Sequence, residues 1–395
     1  MEHLDGALRP YPWGSRTLLA QLRGEPAPTA QPEAELWFGA HPGSPSRING
    51  TGLDEIIAAD PVGALGERVA AQHDGELPFL VKLLAADAPL SIQAHPSREQ
   101  AEDGFARENA EGIPLQDPRR NYKDPNPKPE LIVALTTFRA LAGFRPPAKT
   151  AELFQALRAP ELDRYASLLP AGESDDALRA LFTTLISLPQ QARSSLLDAV
   201  SDAAAAVVEA GDAEEWIVDT ASVFLELSRR YPGDVGAFAA LLLNLVTLEP
   251  GEAAFLGAGQ LHAYLSGLGV EVMWNSDNVL RGGLTTKHVD VGELVRVLDF
   301  APLDSPRARR VDTAEGSVFD LPVDSFSVSG HTLSGETPLT VDTDGPAIVL
   351  CTAGEAVSGD FVLRPAQAAW IAANEAPVTF TAAGEQAAEL FVATA

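Results

Sequence analysis

The sequence predicts a mainly β protein interrupted by an α-helical insertion. Three observations carry this: short β-prone runs broken by Pro and Gly up to Arg145, helical apolar stripes from Lys149 to about Leu248, and strand texture again to the end. At 395 residues the chain is longer than one core usually serves, so two or three packed units are expected. The boundaries that follow are a discontinuous β unit over residues 1–148 and 249–312, a helical unit over 149–248, and a C-terminal β unit over 313–395.

In the first segment Pro78–Leu83 reads as a strand, Leu90–His95 alternates apolar and polar residues, and Leu131–Leu135 is an apolar run. Between the last two lies Pro96–Pro129, polar and Pro-rich, which reads as a loop too long for a mere connection. In the second segment Leu178, Leu181, Phe182 and Leu185 fall at i, i+3, i+4, i+7, and Ile217, Ala221, Phe224 and Leu225 at i, i+4, i+7, i+8. Both are stripes on one helix face. Strand texture returns at Ala253–Leu256 and Val270–Met273. Beyond Thr313 come Ala347–Leu350, Phe361–Leu363, Val378–Phe380 and Leu390–Val392, punctuated by Gly and Pro as in a β-sandwich.

Composition excludes several functions. With 28 Lys+Arg against 55 Asp+Glu, the net charge of −27 is unsuited to a nucleic-acid face. The lone Cys351 rules out an internal disulfide and a cysteine-based zinc site. No window offers 18 uninterrupted apolar residues for a membrane span, and the start Met-Glu-His-Leu-Asp has no secretory character, so a cytoplasmic location is expected. The charge is uneven, however. Ser91–Arg145 and Val270–Asp312 together hold 14 of the 28 basic residues in about a quarter of the chain. If they meet in space, they make a less negative region towards which a small anion is steered. Solvated surface with local ion pairs is the bland alternative.

Seven histidines are present, and His3, His41, His73, His288 and His331 sit in polar or Pro/Gly-rich surroundings that read as surface. His95 differs. On a strand, Ser91, Gln93 and His95 share one face and Leu90, Ile92 and Ala94 the other, whereas a helix would set Gln93 and His95 about 200° apart. That polar face is either wetted or the interior of a small barrel. His262 follows Gly257-Ala258-Gly259, whose glycines permit a tight turn into a strand. Glu130 stands at the mouth of an apolar strand, after Pro127-Lys128-Pro129 has fixed an extended approach.

Gln93, His95, Glu130 and His262 together supply two imidazoles, a carboxylate and an amide oxygen. The set suits one borderline divalent ion, zinc before other divalent ions, with room left for substrate or water. One carboxylate against a divalent ion leaves a charge of about +1, a good electrophile towards a carbonyl. Glu271, Asp277, Arg281 and Lys287 then lie within 17 residues, beside Gly282-Gly283. This is either a turn of paired charges or a phosphate and acid/base station.

The motifs Tyr11-Pro12-Trp13-Gly14, Glu35-Leu36-Trp37-Phe38-Gly39-Ala40-His41-Pro42, Leu90–Pro96, Asn121–Glu130, Gly259–Tyr264 and Asn275–Lys287, in this order, resemble those of the type I mannose-6-phosphate isomerases, zinc-dependent cupin enzymes. The resemblance implies a cupin jelly-roll barrel in the first unit and a second β-sandwich or jelly roll at the C-terminus. It implies one zinc ion on Gln93, His95, Glu130 and His262. It also implies a substrate pocket of Lys82, Ser91, Lys128, Glu271, Asp277, Arg281 and Lys287, with Trp13 beside them. Arg281 is the family's usual catalytic arginine, and Lys128 and Glu271 become candidate bases. The implied partner is a hexose 6-phosphate, isomerised between mannose and fructose forms on the way to GDP-mannose, with no nucleic acid, no membrane, and a monomeric state.

Two departures stand out. Relatives usually carry His-Lys-Pro-Glu where this chain has Pro127-Lys128-Pro129-Glu130, and Thr-Pro-Lys where it has Thr285-Thr286-Lys287. The first leaves open a non-catalytic sugar-phosphate sensor. A cupin oxygenase is a further alternative, though a Gln amide stands where such a site prefers a histidine or carboxylate.

Overall fold

The computed structural model describes residues 1–169, 175–313, 316–335, 337–375 and 377–395. It is built on β-sheets, with the larger share of its helical residues between residues 147 and 242 and further helices at Leu18–Leu22, Leu53–Ala59, Pro61–Gln72, Arg98–Ala110 and Val291–Val297. A ten-stranded sheet is organised around the 13-residue strand His262–Trp274. That strand pairs antiparallel with Ile92–Ala94 and Phe138–Phe144 near its start, and with Phe79–Ala86 and Glu130–Ala134 along the rest. It contains the Val270–Met273 run expected from sequence and extends it well upstream.

The central strand carries a bulge. Its register against Phe138–Phe144 shifts between Tyr264 and Ser266, and Gly267 follows at φ +121°. An extra residue swaps which alternate side chains face inward. His262 and Tyr264 therefore face the same cavity as Glu271 and Met273, although their parity differs. A Cβ on Gly267 would stand 2.8 Å from Phe138 Cα and from the Thr137 carbonyl. Gly267→Ala is expected to cost about 2–4 kcal/mol through strain and overpacking. Urea unfolding checks this, and an unchanged midpoint would remove glycine from the account of the bulge.

Behind this sheet a seven-stranded sheet is laid, and behind that a four-stranded one. Period-2 alternation along Ala347–Ala353 makes the seven-stranded sheet two-sided. Ile348 and Leu350 join Val81, Val133 and Val270 in the core shared with the first sheet. Ala347, Val349 and Cys351 join Phe380 and Leu390 in the core shared with the four-stranded sheet. The runs expected at Phe361–Leu363, Val378–Phe380 and Leu390–Val392 all lie in strands.

The helical stripes fold as read. Leu178, Leu181, Phe182 and Leu185 are buried on the helix Asp175–Ile186, and Ile217, Ala221 and Phe224 on Glu215–Arg230, where Leu227 rather than Leu225 completes the buried face. No helix among the described residues is long and apolar enough to cross a membrane.

Several elements depart from expectation, and the segment before Arg145 holds the helices Leu53–Ala59 and Pro61–Gln72 where only β-prone runs were read. The stretch Pro96–Pro129 is not all loop, because Arg98–Ala110 is a helix opened by a capping box of Ser97 and Gln100. It buries Ala101, Gly104 and Glu108 rather than an apolar stripe, so periodicity does not reveal it. Leu243–Leu248, expected within the helical segment, is a strand paired with Phe138–Phe144. Glu2–Leu4 pairs with Ala368–Ile371 in the seven-stranded sheet, so the start of the chain joins the C-terminal strands.

Candidate active site and metal centre

The register of the first sheet assembles the site. Gln93 lies opposite both His262 and Arg281, so their side chains share one face across three strands. On neighbouring strands Lys82 lies opposite Trp37 and Glu271. Pairing of Ile92–Ala94 with Leu280–Gly283 also brings together the two base-rich windows of the sequence.

His95, Glu130 and His262 converge with their ligating atoms within 4.8 Å of one another, all buried. His95 Nδ1 is 2.7 Å from the Asn278 carbonyl oxygen and His262 Nδ1 is 2.9 Å from that of Gln260. A carbonyl only accepts, so each Nδ1 carries the proton and each Nε2 presents a lone pair. Both Nε2 atoms and Glu130 Oε2 are buried without a hydrogen-bond partner among the described residues. The imidazoles nonetheless face the carboxylate, at 3.4 Å from His95 Nε2 to Glu130 Oε1 and 3.3 Å from His262 Nε2 to Glu130 Oε2.

Acceptors aimed at acceptors repel unless a cation lies among them. A proton on His95 does not supply it, because burial and the Lys128 ammonium hold that imidazole down to about 4. Burial alone would raise Glu130, but the Lys128 ammonium beside it outweighs burial and keeps the carboxylate well below its ordinary range. Two neutral imidazoles and an ionised carboxylate fit a borderline divalent metal. Gln93 lies half-buried beside this cluster and lines the same cleft.

The cleft, about 400 Å³, is lined by Trp13, Lys82, Ser91, Gln93, Lys128, Glu130, Glu271, Asp277, Arg281 and Lys287. These expected residues therefore come together here, and the two buried histidines meet the cleft through Glu130, which lines it. Lys128 Nζ is 2.6 Å from Glu130 Oε1, and Lys82 Nζ is 2.8 Å from Glu271 Oε2 and 4.0 Å from Glu35 Oε1. The carboxylates around Lys82 outweigh burial and hold its ammonium above the ordinary value. Burial, with Glu130 and Glu35 nearby, pushes the Glu271 carboxyl up against the pull of Lys82. Arg281 is half-buried, and burial lowers it. Lys287, at the exposed mouth, is lowered by partial burial and by Arg281.

Sequence reasoning missed five contributors to this cleft. His41, expected at the surface, is buried edge-on to Trp37, and its Nε2 is 3.4 Å from Asp277 Oδ1. Its Nδ1 accepts the Gly43 N–H, which leaves the Nε2 proton for Asp277. That hydrogen bond holds the Asp277 carboxyl below its ordinary value. Glu35 accepts the Trp37 indole N–H at 2.7 Å, Tyr264 keeps a buried hydroxyl beside the metal cluster, and Tyr231 reaches in from the helical segment. The family motifs contain Glu35, Trp37, His41 and Tyr264 but gave them no role, and nothing in the sequence singled out Tyr231.

Pro127 turns away. Along the extended stretch 127–130, Lys128 and Glu130 line the cleft, whereas Pro127 and Pro129 line a separate cavity with Phe255 and Trp274. Reinstating the relatives' residue tests this. Pro127→His is expected to leave turnover within about twofold, since surface changes away from a site are nearly neutral. A large gain in kcat would contradict the placement.

Comparison with known proteins agrees with this arrangement. The family description "Phosphomannose isomerase type I, catalytic domain" matches residues 1–147. The mannose-6-phosphate isomerase of Escherichia coli (strain K12) is 41% identical, with 98% of each chain covered. That of Bos taurus is 37% identical over 82% of this chain and 80% of its own. A crystal structure of a mannose 6-phosphate isomerase bound with zinc and yttrium superposes with a TM-score of 0.88 at 39% identity, covering 100% of this chain and 99% of the other. Identity of this extent along nearly the whole length places the chain in the type I phosphomannose isomerase family.

Proposed function

We propose that the protein is a zinc-dependent aldose–ketose isomerase that interconverts mannose 6-phosphate and fructose 6-phosphate. The observation that carries this is the cluster of three buried, facing acceptors that meets, through Glu130, a cleft with ammonium and guanidinium groups along its wall. His95, Glu130 and His262 would hold the ion, with the Gln93 amide oxygen as fourth ligand. When bound, zinc supplies Lewis acidity that polarises carbonyl and hydroxyl oxygens of the substrate.

The rest falls to side chains. Glu271 takes the proton from C2 of the aldose, the C2–H electron pair forms the C1–C2 double bond, the C1=O π pair passes to the carbonyl oxygen, and that oxygen takes a proton from the Lys128 ammonium to give the enediol. The C2 hydroxyl then returns a proton to Lys128, its electrons form the C2 carbonyl, and the C1–C2 π pair takes back the proton from Glu271 at C1, which gives the ketose. Lys82, paired with Glu271 at 2.8 Å, pulls its carboxyl towards the ionised form against the burial that raises it. Lys128 is engaged with Glu130, so it acts as a charged donor to substrate oxygen rather than as the base. Arg281, on the same face as Gln93 and His262, reaches the developing oxyanion. Lys287, farther out, takes the phosphate, while Ser91, Asp277 and Trp13 border the sugar.

The strand pairings support a jelly-roll barrel for the sheet around His262–Trp274 and a second β-sandwich at the C-terminus. They support a division into residues 1–148 with 249–312, 149–248 and 313–395 once Glu2–Leu4 and Leu243–Leu248 are reassigned. A net charge of −27 favours a monomer through self-repulsion, and we place the protein in the cytoplasm.

The test is direct. Mannose 6-phosphate incubated with the zinc-loaded protein should yield fructose 6-phosphate without oxygen uptake. Chelation should abolish the activity and added zinc should restore it. No product from the loaded protein would leave the sensor reading standing, and oxygen uptake would favour the oxygenase.

A further inference from the structure

Among the described residues, the helical segment lines the substrate cleft at one place, the turn between the helices Glu215–Arg230 and Gly236–Leu242. Tyr231, on this turn, lines the cleft and donates its hydroxyl to the Pro89 carbonyl at 2.8 Å. Asp234, three residues on, makes a denser set of contacts. Its Oδ1 accepts the N–H of Gly236 at 2.7 Å and that of Leu284 at 2.9 Å, and its Oδ2 accepts the N–H of Thr285 at 3.3 Å.

The loop gripped in this way is unusual in its backbone. Leu284 is a buried leucine at φ +54°, a conformation disfavoured for a branched side chain. It follows Gly283 at φ +137°, and a Cβ on Gly283 would meet Gly236 Cα at 2.5 Å. Backbone thus packs on backbone, and the carboxylate holds both sides. Strain of this kind persists only where the surroundings over-determine it. Directly after it come Thr285, Thr286 and Lys287, all lining the cleft, with the Lys287 N–H on Thr285 Oγ1 at 3.1 Å. Arg281 is three residues before.

We propose that Asp234 is a positioning residue for recognition of the substrate's phosphate: by clamping the Leu284–Thr285 backbone it sets the direction in which Thr285, Thr286 and Lys287 meet the phosphoester. The helical insertion thereby becomes part of the substrate site rather than an appendage. This rests on the reading that the mouth of the cleft, at Lys287, takes the phosphate.

The experiment compares KM and kcat for mannose 6-phosphate, and the Ki of inorganic phosphate as a competitive inhibitor, in zinc-loaded wild type, Asp234→Ala, Asp234→Asn and Lys287→Ala. Asp234→Ala is expected to raise KM and phosphate Ki together, by about tenfold, the loss of one or two charge-assisted hydrogen bonds, with kcat within about threefold. Asp234→Asn retains the oxygen that accepts from Gly236 and Leu284, and should fall between. Gly236→Ala, whose Cβ would lie 2.7 Å from the Leu284 nitrogen, displaces the same loop with Asp234 intact and should reproduce the phenotype. It serves if Asp234→Ala is too unstable to assay.

A raised phosphate Ki in Lys287→Ala with unchanged constants in the Asp234 and Gly236 variants would overturn the clamp alone. An unchanged Ki in Lys287→Ala would overturn the phosphate reading and the clamp with it. A fall in kcat at constant KM would place Asp234 in the chemistry instead.

Discussion

His262→Ala should leave the protein unable to retain zinc, with activity reduced by at least about a thousandfold. Removing partners that merely orient a ligand typically lowers metal affinity 10- to 100-fold, so removing a ligand costs more. The sign of the stability change is informative. In the metal-free protein the mutation relieves one of three facing lone pairs, but it opens a cavity and strands the Gln260 carbonyl, about 1–3 kcal/mol for the polar group. In wild type, zinc at a hundred times its Kd adds about 2.7 kcal/mol. Zinc should therefore raise the melting temperature of wild type and leave that of His262→Ala unmoved. Metal analysis after dialysis gives the second readout. A mutant that still held one zinc per chain would show that the ion sits elsewhere.

What could be read in advance of the coordinates was whatever depends on local period. Ser91, Gln93 and His95 share a face because strands alternate, and the cleft lies on that face. The same rule sends Pro127 and Pro129 away from it and Lys128 and Glu130 into it. The helical stripes were legible because their burial is apolar, as at Leu178 and Phe224. Where burial is polar, period is silent. The helix Arg98–Ala110 seats Gly104 against the Tyr122 ring and turns Glu108 towards the N–H groups of Asn121 and Tyr122. No apolar stripe results.

Long-range partners were equally hidden. His41 precedes Pro42-Gly43 and looks like a turn residue, yet Asp277, far along the chain, accounts for its position. The Lys82–Glu271 pair follows from direct cross-strand pairing, but its place on the side of His262 depends on the bulge before Gly267. Leu243–Leu248 continues the apolar character of the preceding helix, and only the free edge at Phe138–Phe144 makes it a strand. The resemblance to a family singled out Arg281 as the catalytic arginine, a role that no spacing argument reaches.

Arg281→Ala should separate catalysis from stability. Arg281 is a half-buried cation that forms no salt bridge with a carboxylate among the described residues, and burial alone lowers its pKa. A charge desolvated without a partner contributes little to folding, so its removal should change stability by no more than about 0.5–1 kcal/mol. Arg120 is the internal contrast, because it is buried 3.0 Å from Glu108 and donates to the Tyr122 carbonyl. Its loss would strand a buried carboxylate at about 3–5 kcal/mol. In the cleft, by contrast, an unpaired guanidinium is worth most when negative charge develops on the substrate, since solvent is excluded and the donor is already oriented. Arg281→Ala should therefore lower kcat by about 10²–10³. Arg281→Lys should recover only part of this, because a point charge does not reproduce a planar fork. Steady-state kinetics beside thermal unfolding decide the matter. An unaltered kcat would remove Arg281 from the mechanism, and a large fall in melting temperature would make it a structural residue instead.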